Sequence, residues 1–68
     1  MNIHTPIVYT VLCNAGFDVT TTRNGFVAAR LTKRQLGKDE VAYVLDSEIE
    51  DVTFDLMTTT DGWVLVKW

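Results

Sequence analysis

Two stretches of the chain space their apolar residues for a helix, and each is followed by alternating residues around a glycine turn. The pattern reads helix, hairpin, helix, hairpin. In the first stretch Ile7, Val8, Val11, Leu12 and Ala15 form one apolar stripe. Thr5 is placed to cap the free amides, Pro6 suits the first helical position, and Gly16 can adopt the left-handed conformation that ends a helix. A second helix is predicted over 38–49. Gly37 serves as its N-cap, Glu40 reaches back to the Gly37 amide, and Leu36 and Val41 take the two positions of a hydrophobic staple. Val41, Val44, Leu45 and Ile49 supply its buried side, with Asp39, Tyr43, Asp46 and Glu50 opposite.

The two hairpin segments are close copies. Residues 17–31 (FDVTTTRNGFVAARL) align without a gap on 54–68 (FDLMTTTDGWVLVKW), with six identities. A two-residue loop at Asn24-Gly25 would set Val27, Ala29 and Leu31 against Asp18, Thr20 and Thr22. A three-residue loop, 23–25, instead pairs Phe17 with Leu31, Val19 with Ala29 and Thr21 with Val27, giving one apolar face. The same rule in the second copy pairs Phe54 with Trp68, Leu56 with Val66 and Thr58 with Val64. It also sets Asp18 across from Arg30 and Asp55 across from Lys67. The glycine in each turn is available for a bulge.

The expected fold is α+β: a single domain over 1–68, ordered αββαββ, with a four-stranded antiparallel sheet and both helices on one face. Units of about 5–31 and 37–68 are expected to be related by an internal pseudo-twofold. Strand order across the sheet stays open. The uncovered face should carry Asp18, Thr20, Thr22, Phe26, Ala28 and Arg30 from the first hairpin. The second contributes Thr53, Asp55, Met57, Thr59, Trp63, Leu65 and Lys67. Phe26, Met57, Trp63 and Leu65 are unusual there, because strand residues facing water are more often threonines and charges. They are the expected partner interface. A nearly twofold sheet would lend itself to a homodimer.

Length sharpens this expectation. A 68-residue chain buries only about 60% of its unfolded surface, so a second chain would help to stabilise it. The lone Cys13 excludes an internal disulfide and suits a reducing compartment. No signal-peptide pattern and no run of roughly 20 apolar residues is present, so a cytoplasmic setting without membrane partners is expected. The net charge of −3 is unevenly distributed. Arg30, Lys33, Arg34 and Lys38 are four of the six basic residues, and every acid except Asp18 follows them. Lys33, Arg34 and Lys38 in a basic loop, with Asp39, Asp46 and Glu50 on an acidic helix edge, are candidates for electrostatic steering.

Little points to catalysis. His4 is the only histidine, so no histidine pair for a metal exists, and Cys13 has no evident activating base. Glu48, Glu50 and Asp51 lack a metal pattern or a second catalytic type, and the glycines form no phosphate-binding motif. No catalytic residue, cofactor or metal is expected. The run Leu12-Cys-Asn-Ala-Gly-Phe17, a strand, and the turn ending at Gly25 resemble the opening of HicA-type toxins, small ribonucleases with a double-stranded-RNA-binding-like fold. Phe26 and Val27 stand where that family has its catalytic histidine, so the resemblance does not carry the activity over. The expectation is a non-enzymatic protein-interaction module with a protein partner, of the size common among phage and mobile-element accessory proteins. A nucleic-acid contact through 30–38 and the sheet aromatics is the alternative, and the acidic pI near 4.7 weighs against it.

Overall fold

Helix α1 (Thr5–Asn14) ends at a glycine that also sets where the first hairpin begins. Gly16 has φ of +93°; its N–H donates to the Cys13 carbonyl at 3.1 Å, and the Phe17 N–H donates to the Leu12 carbonyl at 3.3 Å. These two bonds are a Schellman motif, and Phe17 and Leu12 add its hydrophobic contact by joining one core. The computed structural model describes residues 3–68. After α1 come β1 (Asp18–Thr21), β2 (Val27–Arg30), α2 (Lys38–Glu48), β3 (Asp55–Thr58) and β4 (Val64–Lys67). The strands form one antiparallel sheet in the order β1-β2-β4-β3, so the fold is α+β. Among the described residues no helix is long and apolar enough to cross a membrane.

The start of α1 differs from expectation. Thr5 lies inside the helix, the N-cap is His4, and no side chain caps it. Thr5 is buried, and its hydroxyl donates to the Gly25 carbonyl in the first hairpin turn. A buried hydroxyl needs a partner, and the hairpin supplies one that ties helix to turn. The apolar stripe is also narrower than the sequence suggests. Val8 and Leu12 are buried and Val11 is half-buried, whereas Ile7 is 54% exposed and Ala15 is exposed too. Helix α2 follows expectation closely. The Gly37 N–H donates to Glu40 Oε2 at 3.1 Å, and Leu36 and Val41 are both buried.

Both hairpins adopt the three-residue loop. Their registers pair Asp18 with Arg30, Val19 with Ala29 and Thr21 with Val27, then Asp55 with Lys67, Leu56 with Val66 and Thr58 with Val64. The turns carry the same backbone bonds. Thr22 N–H donates to the Phe26 carbonyl and Gly25 N–H to the Thr22 carbonyl; Thr59 to Trp63 and Gly62 to Thr59 repeat them. The hydroxyls of Thr22 and Thr59 each accept the amide of the aromatic residue four positions on, at 3.2 and 3.0 Å. Gly25 and Gly62 supply the positive φ that such a turn requires. The helices do not repeat so closely: residues 15–17 separate α1 from β1, whereas the longer segment 49–54 separates α2 from β3.

The central strands meet with Ala28 opposite Leu65, flanked by Val27 with Val66 and Ala29 with Val64. Val27, Ala29, Val64 and Val66 therefore share one face. They form a single buried cluster with Val8 and Leu12 of α1, with Leu36, and with Val41 and Leu45 of α2. Phe17, Val19, Leu31, Phe54, Leu56 and Trp68 close its margins.

An added Cβ at Gly16 would meet nothing within 4 Å, so the cost of Gly16→Ala is purely conformational. We expect a loss of about 1–2 kcal/mol in urea unfolding with an unchanged near-ultraviolet spectrum. A loss of only a few tenths would mean the helix end relaxes out of the left-handed conformation.

Candidate functional site

The sheet face turned away from the core cluster is built by register alone. Across its middle it reads Thr20, Ala28, Leu65, Met57, one residue from each strand in spatial order. One step toward one end lie Asp18 and Arg30, with Trp63 beside them; one step toward the other lie Lys67 and Asp55. Met57 is 54% exposed, Trp63 and Leu65 are half-buried, and Ala28 is only 4% exposed beneath its larger neighbours.

Three of the four expected contact residues share this side of the sheet: Met57 on β3 pairs with Leu65 on β4, and Trp63 stands immediately before β4. Phe26 is placed differently. Its ring meets Trp68 edge-on, 4.9 Å between centroids, and Trp68 packs against the core cluster. Phe54 and His4 approach the same indole at 6.3 Å. Phe26 therefore helps to seal the end of the core, because the C-terminal indole offers it more apolar contact than open solvent does.

Arg30 is the residue that apolar pattern alone did not single out. Its guanidinium lies 4.5 Å from the Trp63 ring centroid, a cation–π contact worth about 0.5–1 kcal/mol at an exposed site. Hairpin register puts Arg30 on the open face, but its approach to Trp63 needs β2 beside β4, which only the strand order supplies. Asp61, in the adjoining turn, is held below the usual carboxylate range, first by the Thr59 hydroxyl at 2.6 Å, then by its own backbone amide, with Arg30 adding attraction. Arg30, Leu31–Gln35, Asp61 and Gly62 line a surface cleft of ≈370 Å³ between the basic loop and the second turn.

Electrostatic steering by the basic loop is reduced by an ion pair. Arg34 donates to both carboxylate oxygens of Glu40, through Nη1 at 2.8 Å and through Nη2. Glu40 meanwhile accepts the Gly37 amide, so one carboxylate caps α2 and anchors the loop before it. The Arg34 bond first, and the Gly37 bond second, hold the Glu40 carboxyl at about 2, and Glu40 in turn raises Arg34. Lys33, Lys38, Asp39, Asp46 and Glu50 are exposed. They are distributed over the loop, the start of α2 and the far end of α2 rather than gathered at one point. Tyr43, 66% exposed on the outer side of α2, is the most open aromatic residue among those described. Among the described residues no group of His, Cys, Asp and Glu side chains is arranged to hold a metal ion.

The Glu40 carboxyl ordinarily titrates near 4.5 and is held at about 2 in the fold. Its contribution to stability is therefore complete above 4.5 and is lost as the pH falls from there toward 2. Urea midpoints measured down that window should fall less steeply for Glu40→Gln than for the wild type. Equal slopes would show that the ion pair is too solvated to matter.

Comparison of the chain with protein-family models, with curated proteins and with solved structures returns no match, so any functional reading stands on this face and its chemistry.

Proposed function

We propose that the protein is a small non-enzymatic interaction module that associates with a second copy of itself through the open sheet face. The observation that carries this reading is the group Met57, Leu65 and Trp63 on the side of the sheet opposite the core, with Met57 more than half exposed. Burial of that group is favourable, and aromatics with methionine are enriched at interface centres. The charges favour a second copy as the occupant. Asp18 and Asp55 lie at diagonally opposite corners of the face, each across from a base. A twofold axis in the plane of the sheet, parallel or perpendicular to the strands, brings each acid over a threonine and leaves no acid facing an acid. The alternative, nucleic-acid binding through 30–38, is weakened by the commitment of Arg34 to Glu40.

Size sets the strength. Strand spacing and rise give a face of roughly 19 by 17 Å, or about 320 Å², well below the ~800 Å² per partner of a standard interface. The association should therefore be weak and concentration-dependent. Sedimentation equilibrium from about 10 µM to about 1 mM should show wild-type monomer giving way to dimer. Trp63→Ser, confirmed as folded by circular dichroism, should remain monomeric. A wild type that stays monomeric, or a Trp63→Ser variant that dimerises equally well, would defeat the reading.

A further inference from the structure

On the helical side of the molecule a shallow groove runs between α1 and α2. Two hollows of ≈460 and ≈210 Å³ meet at Val44, which lines both. Half-buried Phe17 and exposed Tyr43 line the larger, and half-buried Val11 lines the smaller, so apolar surface is left uncovered. The charge around it has one sign. Asp39 and Glu40 line the larger hollow and Glu48 the smaller, and no lysine or arginine lines either. Glu40 is matched by Arg34 in the only ion pair among the described residues, which leaves Asp39 and Glu48 unmatched. The smaller hollow is also where both helices end, since Asn14, the last residue of α1, and Glu48, the last of α2, both line it. The carbonyl end of a helix carries partial negative charge, and neither helix places a base in its last turn. Two helix ends and a carboxylate therefore bias one small hollow toward a cation.

We infer that this groove docks a lysine or arginine side chain of a partner protein. The charged head sits beside Glu48 at the two helix ends, and its aliphatic stem lies along Val11 and Val44. The larger hollow takes an apolar neighbour of that residue against Phe17 and Tyr43, with Asp39 at its rim adding to the attraction. The charge decides the class of partner. Acids without matching bases repel the phosphates of a nucleic acid or an anionic membrane and attract a basic protein segment. This surface is separate from the open sheet face and does not depend on self-association there.

The probes are n-butylguanidinium and n-butylammonium, which carry the heads and stems of arginine and lysine, with butan-1-ol and butyrate as uncharged and anionic controls. Each is titrated into the full chain and followed by amide chemical shifts, in wild type and in Trp63→Ser so that self-association is read separately. The cations should shift Val11, Ala15, Val44 and Glu48 in a saturable way. These shifts should exceed those at Asp46 and Asp55, exposed acids that line neither hollow. Butan-1-ol and butyrate should leave the same signals nearly unmoved. Glu48→Gln should weaken cation binding by about threefold, the scale of one exposed charge pair. Asn14→Lys gives α1 a base of its own at this end and should weaken binding at least as much, and circular dichroism checks that both variants fold. Butan-1-ol binding as well as the cations would reduce the groove to an apolar surface and overturn the inference. Cation shifts spread evenly over all the acids, or left unchanged by both variants, would overturn it too.

Discussion

β2 and β4 meet with Ala28 opposite Leu65, and that register decides what each hairpin gives to the core. Each hairpin alone is two four-residue strands, which is marginal in water. Joined through their second strands, they place Val27, Ala29, Val64 and Val66 in one block, and all four are fully buried beneath side chains from both helices. A slip of one residue that inverts β2 along this seam would turn Ala28 and Arg30 toward the helices and Val27 and Ala29 toward water. Because burial specifies the seam so strongly, the opposite face is specified with it. The identity of the open surface is thus a by-product of core packing.

Much of this was legible in the chain. The hairpin register followed from asking which loop length gathers Val19, Thr21, Val27 and Ala29 coherently, and both copies obeyed it. The α2 entry was legible because its signals are local: Gly37, Glu40, Leu36 and Val41 lie within one turn of each other. What was not legible depended on distant partners. Thr5 looks like a cap in sequence, yet the Gly25 carbonyl, which takes its hydroxyl, is brought close only by the fold. Phe26 looks like a surface aromatic until Trp68 arrives at the far end of the chain to meet it. Strand order was beyond periodicity altogether, since period-2 patterns state which face a residue occupies and say nothing about neighbours.

The charge pattern shows a related limit. Composition divides the chain into a basic segment and an acidic one, which suggests two opposed surfaces. The fold instead links them, since Arg34 within the basic run closes on Glu40 at the start of the acidic helix. That link constrains the loop between β2 and α2 by a cap and an ion pair on the same carboxylate. Only the unpaired charges around it retain a long reach into solvent.

The seam between β2 and β4 also has a kinetic meaning. Each hairpin closes a loop of three residues held by a matched set of turn bonds, so it can form early and locally. Bringing Ala28 to Leu65 instead closes a loop that contains α2 and all of β3, and it must pay that entropy before the core forms. The seam is therefore the most non-local pairing of the sheet, the kind that slows folding. Until it closes, the inner edges of two separate hairpins stand open, and any other strand of suitable pattern, including one from a second chain, competes for them.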